Sequence, residues 1–219
     1  MDKNMDASIK NISKGLVIIG SLLLVTACSS GGGYQELPSA KAQPSLTTDI
    51  DNYNYLIGPQ DNLEIFVWGN PEISGVFQVR PDGKLSTSLV DDLEASGKTP
   101  TELAREIESY LSEYVRDPIV TVIVQGFVGP FSEQVRVIGE AAQPQAISYR
   151  EHMTLLDVMI SVGGLTEFAN GNGANLIRVV NGKQVKYSIR LDDLVKEGEI
   201  AANVDILPGD IVIIPEAWF

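Results

Sequence analysis

Cysteine and histidine are nearly missing from this chain of 219 residues, which holds one of each, Cys28 and His152. A single cysteine excludes an intrachain disulfide framework and any multi-thiolate metal site. A single histidine excludes metal sites built on two imidazoles. Positive charge is also scarce, with 16 Lys and Arg against 29 Asp and Glu and a net charge of −13. Lys3, Lys10 and Lys14 against Asp2 and Asp6 leave residues 1–27 at +1, so the remainder carries −14. A surface that acidic repels nucleic acid phosphates, which excludes nucleic acid as a partner. There is no phosphate-binding loop and no G-x-S-x-G elbow, and Gly171-Asn172-Gly173 is too short for a dinucleotide fingerprint. No catalytic, cofactor-binding or metal-binding residue is therefore assigned, and the chain reads as a non-enzyme.

The N-terminus is polar with three lysines, followed by an apolar run of twelve residues, Leu16 to Ala27. That run is a signal-peptide core, short of the about 20 residues of a membrane-spanning helix. It closes in Leu24-Val25-Thr26-Ala27-Cys28, with small residues before the lone cysteine. This resembles the bacterial lipobox, which implies cleavage after residue 27 and acylation of Cys28 with diacylglycerol and palmitate-type chains. Such an anchor contributes about 0.8 kcal/mol per buried CH₂. Ser29, a non-acidic residue after the cysteine, implies sorting to the outer membrane. Residues 28–54 are rich in Gly, Ser, Pro and Thr, lack an apolar period and read as a lipidated flexible tether.

Folded structure begins at Tyr55. In YLIGPQDNLEIFVWGNPEISGVFQVRPDG, Gly58-Pro59 signals a turn, and Leu63, Ile65 and Val67 alternate with Glu64, Phe66 and Trp68 as a strand. Val76 to Val79 reads as a second strand, and Pro81-Asp82-Gly83 as a tight turn into a strand over Leu85 to Val90. Asp91, Asp92 and Glu94 lack the spacing of a calcium loop and read as solvated surface. Thr99-Pro100-Thr101-Glu102 opens a helix with a capping box, and Leu103, Ile107, Tyr110, Leu111 and Tyr114 follow at helical spacing. Ile119 to Val124 is a β-branched strand, and Gly126 to Pro130 a hinge-like break.

The second half opens with a strand at Val135 to Gly139 and another at Gln145 to Tyr149. Thr154-Leu155-Leu156-Asp157 is a capping box for a short helix that ends at Gly163-Gly164. Asn181-Gly182 joins two strands through a type I′ turn, because both residues tolerate positive φ. Leu207-Pro208-Gly209-Asp210 turns into the last strand, Ile211 to Ile214, and shares its turn chemistry with Pro59-Gln60-Asp61. His152, at a loop-to-helix junction, reads as structural or solvent-facing.

The order of residues in Tyr55 to Gly83, with T-P-T-E-L at the helix and D-P-I-V-T-V at the strand after it, resembles the outer-membrane polysaccharide export proteins. The second half resembles the soluble-ligand-binding β-grasp (SLBB) domain that follows in that family, through V-R-V-I-G-E, T-L-L-D, G-G-L-T and L-P-G-D. The fold class implied is α+β. Residues 1–27 would be the signal peptide, 28–54 the tether, 55–128 the polysaccharide export domain, 129–215 the SLBB domain and 216–219 a short aromatic tail. Longer relatives continue into an amphipathic membrane-crossing helix, and only four residues follow Pro215 here. The resemblance thus implies a short form on the periplasmic face of the outer membrane, a homo-oligomeric ring that hands polysaccharide to a separate outer-membrane β-barrel. An inner-membrane copolymerase would supply the polymer. Two other readings are a monomeric carbohydrate-binding lipoprotein and a structural adaptor for the copolymerase. Trp218 and Phe219 either meet the barrel or lipid interface, or pack on a neighbouring domain.

Overall fold

Two separate apolar cores form between Tyr53 and Ala217, each under its own sheet. They are seen in a computed structural model that describes residues 37–40 and 43–218. The expected signal peptide, Cys28, the Gly-rich start of the tether and Phe219 lie outside the described residues.

The first module runs β1 (Asn62–Val67), β2 (Gly75–Gln78), β3 (Lys84–Leu85), β4 (Leu93–Glu94), α1 (Pro100–Leu111) and β5 (Val120–Val124). β1 lies in the middle of a three-stranded antiparallel sheet, paired to β2 on one side and β5 on the other. The period-two pattern sends Leu63, Ile65 and Val67 to the buried face, where α1 covers them with Leu103, Ala104, Ile107 and Leu111. α1 starts as its sequence dictates. Thr99 Oγ1 accepts the Glu102 N–H at 3.2 Å, and the Glu102 carboxylate accepts the Thr99 N–H at 2.8 Å. The Thr99 N–H and hydroxyl, both donating to it, hold the Glu102 carboxyl below its usual range.

The second module runs β6 (Gln134–Gly139), β7 (Ala146–Ser148), α2 (Leu155–Ser161), β8 (Asn175–Val180), β9 (Lys183–Ser188), α3 (Leu191–Val195) and β10 (Ile211–Ile214). The five strands lie in the order β7-β6-β10-β8-β9, and only β10 with β6 is parallel. Parallel first and last strands at the centre of a mixed sheet, with α2 over one face, give the β-grasp arrangement. The core holds Val135, Val137, Leu155, Val158, Met159, Leu176, Leu191, Val212 and Ile214. Asp157 caps α2 by accepting the Thr154 N–H at 2.9 Å. Asn181 (φ 51°) and Gly182 (φ 73°) form the turn between β8 and β9.

Three expectations are corrected. The strand expected over Leu85 to Val90 stops at Leu85, and β3 pairs with Leu93–Glu94 rather than with β2. Side chains end it: Thr87 Oγ1 accepts the Val90 N–H at 3.2 Å and Ser86 Oγ the Asp92 N–H at 3.3 Å, which folds the segment into a local turn. Asp92 then reaches Arg80 at 2.7 Å, so one of the three carboxylates read as solvated surface ties that turn down. Helix α1 ends at Leu111, and Tyr110 and Tyr114 lie off its buried stripe, both more than half exposed. The tether expected through residue 54 is docked from Ser45 onward, with Ile50 and Tyr53 packed on the second core.

The shared turn chemistry extends to atomic detail. In Gly58-Pro59-Gln60-Asp61 and Leu207-Pro208-Gly209-Asp210 the last N–H donates to the first carbonyl at 3.2 Å. The aspartate then accepts the first N–H at 2.8 Å in each. Proline second and positive φ third mark a type II turn. The third residue is Gly209 (φ 86°) in one turn and Gln60 (φ 74°) in the other. A left-handed non-glycine residue costs about 1–2 kcal/mol. Replacing Gln60 with glycine is therefore expected to raise stability by about 0.5–1 kcal/mol, read as a higher urea midpoint at unchanged slope.

Candidate functional site

The residues joining the two modules are organised by one carboxylate. Asp61 has no exposed surface. Its Oδ2 accepts the Gly58 N–H at 2.8 Å and the Tyr55 hydroxyl at 2.5 Å. Its Oδ1 accepts the Val128 N–H at 2.7 Å and the Gly129 N–H at 3.1 Å. One side chain thus binds the entry to the first module and the linker to the second. Gly58 lies so close to that linker that a Cβ on it would sit 2.0 Å from the Gly129 carbonyl carbon. From the other side, Gln134 Nε2 donates to the Val128 and Gly129 carbonyls, both at 3.2 Å, and Ser148 Oγ donates to that of Phe127. The break at Gly126 to Pro130 is therefore pinned from both modules. It is not a hinge. The close backbone approach falls on Gly58, whereas Gly129 takes a φ of +72° and a Cβ on Gly126 or Gly129 would meet nothing nearer than 3.7 Å.

A second carboxylate holds the chain that precedes the first module. Glu133, 5% exposed, accepts the Ser45 hydroxyl at 2.8 Å, the Leu46 N–H at 2.6 Å and the Thr47 hydroxyl at 2.6 Å. The chain therefore crosses the second module as a strap before it builds the first. Tyr53 meets Tyr149 edge-to-face at 5.0 Å, and Tyr55 meets Phe127 in the same manner at 5.3 Å.

Strap, linker and β7 enclose a trough of about 680 Å³. Its walls include Tyr53, Tyr55, Phe127 and Tyr149, together with Gln145, Ser148, Arg150 and Ser161. Burial pushes the Tyr53 phenol up to about 12, with Glu133 adding to the shift. Burial also raises Tyr149, and raises Tyr55 further, where the bond to Asp61 adds to it. All three hydroxyls stay neutral at physiological pH. A smaller recess of about 310 Å³ adjoins this trough through Phe127, Ala146 and Ser148, and Phe131 borders it.

The residues singled out in the sequence lie elsewhere. Cys28 is outside the described residues. His152, with a side chain 84% exposed, faces solvent at φ 60°. Among the described residues no group of three or more His, Cys, Asp and Glu is placed to hold a metal. Gly171-Asn172-Gly173 is a short turn tied to α3 through the Asn172 bonds to Asp192 and Asp193. Trp218 is 97% exposed and packs on neither module. Among the described residues no helix is long and apolar enough to cross a membrane.

Residues 49–125 match the family model for the polysaccharide biosynthesis/export protein, and residues 133–214 match that for the SLBB domain. The chain belongs to the polysaccharide export protein family. Its matched segments follow the two sheets described above. It is 25% identical to the EPS I polysaccharide export outer membrane protein EpsA of Ralstonia nicotianae, over 95% of this chain and 68% of that protein. It is 27% identical to the exopolysaccharide production protein ExoF of Rhizobium meliloti, over 74% of this chain and 42% of that protein. It is 22% identical to the polysialic acid transport protein KpsD of Escherichia coli, again over 74% of this chain but 28% of that protein. The chain spans less than half the length of the latter two.

Replacing Asp61 with asparagine turns one of its two acceptor oxygens into an NH₂ donor, which then faces donors it cannot satisfy. A loss of about 3 kcal/mol is expected in urea unfolding. Glu133→Gln is expected to leave the midpoint within about 1 kcal/mol, but to release the strap. Limited proteolysis should then cut between Ser45 and Tyr53 at least tenfold faster than in the parent chain.

Proposed function

We propose that this chain is a periplasmic, lipid-anchored component of the outer-membrane machinery that exports capsular or extracellular polysaccharide, and that it works as a closed homo-oligomer around the polymer. The observation that carries this reading is the tandem of export and SLBB modules in the family's order. The names of the relatives, export outer membrane protein and polysialic acid transport protein, support the same class of task. No catalytic step is required of such a protein, because polymerisation and energy input belong to inner-membrane partners.

The first module presents a surface suited to self-association. The outer face of its sheet carries Phe66, Val76 and Ile123, each more than 40% exposed, and Trp68 at 69% beyond the strand end. Phe66 and Trp68 meet edge-to-face at 6.2 Å. An uncovered apolar sheet face on a small module is a contact surface, and head-to-tail contacts that close generate a ring. Acylation of Cys28 would fix that ring to the membrane, and Trp218, free of intramolecular packing, is available to a barrel partner or the lipid interface. The net charge of −13 suits a conduit for acidic polymer, which would slide without being retained.

Native mass spectrometry of the acylated protein is expected to give one closed stoichiometry, and Trp68→Glu with Phe66→Glu is expected to give monomer. In cells, Cys28→Ala should mislocalise the protein and lower surface polysaccharide severalfold. A parent protein that stays monomeric at cellular abundance, with polymer export unaffected by its loss, would refute the proposal.

A further inference from the structure

The second module, like the first, leaves one face of its sheet uncovered. Its core lies under the opposite face, where Val137, Val212 and Leu176 stand in register beneath α2. On the open face the register sets Arg136, Ile211, Ile177 and Lys186 in one row across β6, β10, β8 and β9. The next row on that face carries Ile138 and Ile213, and Ile138 is 49% exposed. Ile177, Ile211 and Ile213 are partly exposed and belong to neither core. The first row therefore reads cation, isoleucine, isoleucine, cation. Arg136 and Lys186 are both exposed, and neither makes a salt bridge among the described residues.

The open face of the first module carries the opposite sign. There the register sets Val76, Glu64 and Ile123 in one row across β2, β1 and β5, with Phe66 on the same face further along β1. Glu64 is the carboxylate at the centre of that row. Gln125 Nε2 donates to its Oε2 at 2.8 Å, and no cation pairs with it among the described residues. Each module thus presents an apolar sheet face bearing unpaired charge, negative on the first and positive on the second.

These signs decide what covers the two faces. Two first-module faces pressed together would set Glu64 against its own copy, and two second-module faces would bring four cations together. Like charges repel more strongly as water leaves, and opposite charges attract. Only the first face laid on the second matches apolar surface and charge at once. Stacked sheets lie about 10 Å apart, with the side chains of both inner faces interdigitating. Both faces are open within one chain, so the pairing falls between two copies.

We infer that the open sheet of the first module in one copy seats on the open sheet of the second module in the next, with Glu64 of one copy between Arg136 and Lys186 of the other. The contact uses a different face on each side, so it is head-to-tail and closes into a ring when repeated about an axis. Asp61 pins the linker between the modules, so every contact repeats the same geometry. The inference supplies the second surface of the self-association proposed above and rests on that reading.

The test reverses these charges in the full acylated chain and reads association by native mass spectrometry and sedimentation. Glu64→Arg, and separately Arg136→Glu with Lys186→Glu, are each expected to raise the dissociation constant between copies at least about tenfold. Mixed together, the two variants are expected to associate again to within about threefold of the parent, because each offers the face that the other lacks. All three side chains lie on open faces, so an unchanged circular dichroism spectrum and urea midpoint check that the variants fold. A parent assembly that survives both sets of reversals overturns the inference and leaves the self-association reading standing. Variants that dissociate but do not re-form on mixing also overturn it, since each face then meets something other than its counterpart. A parent chain that stays monomeric at cellular abundance removes both.

Discussion

A single desolvated carboxylate decides how this molecule is put together. Asp61 receives four hydrogen bonds from two chain segments that are about 70 residues apart. An anion out of contact with water is tolerated only where donors replace its hydration, and here backbone N–H groups and a phenol do so. Because two of the donors belong to the linker, the first module's turn and the path to the second are fixed together. Gly58 follows from that demand, since no side chain fits where two backbones meet. Asp210 repeats the device in the second module, where Arg178 holds it through two bonds of 2.9 and 2.6 Å. The carboxylate that joins modules is bound by backbone N–H groups and a phenol, and the one internal to a module by a cation and one backbone N–H.

What the sequence discloses and what it hides divides along the reach of each interaction. Caps and turns are local, and they could be read directly. Thr99 with Glu102, Thr154 with Asp157, and Asn181-Gly182 each announce themselves within four residues. The export-family order of the motifs gave the α+β class and both sheets. The strap could not be read, because it has no period of its own. Ser45 and Thr47 look like linker residues, yet their hydroxyls serve a carboxylate 86 to 88 residues away. The linker misled for a related reason: Gly126, Gly129 and Pro130 signal flexibility only in an unbound segment, and here the Val128 and Gly129 N–H groups are held by Asp61, 67 and 68 residues away. The trough is wholly non-local, drawing on four segments that no window of residues contains.

The two modules divide their surfaces differently. The first leaves an apolar sheet face uncovered, which favours contact with another protein surface. The second gathers aromatic and polar groups along β7, which favours contact with something wetter. A chain working as proposed, assembled around a polymer, would need surfaces of both kinds. Keeping them apart allows each to be strong without compromising the other, and the pinned linker keeps their spacing constant.

The strap also gives the molecule a defined response to mechanical load. Tension applied at the N-terminal end reaches the second module first, through the bonds of Glu133, because the chain is seated there before it enters the first sheet. Those bonds break in succession, whereas the strands of a sheet resist shear together. Peeling residues 45 to 49, ahead of Ile50, would free at most roughly 17–18 Å of chain before the second core felt the pull. Under such load the segment would act as a compliant leash, yielding before the folded body.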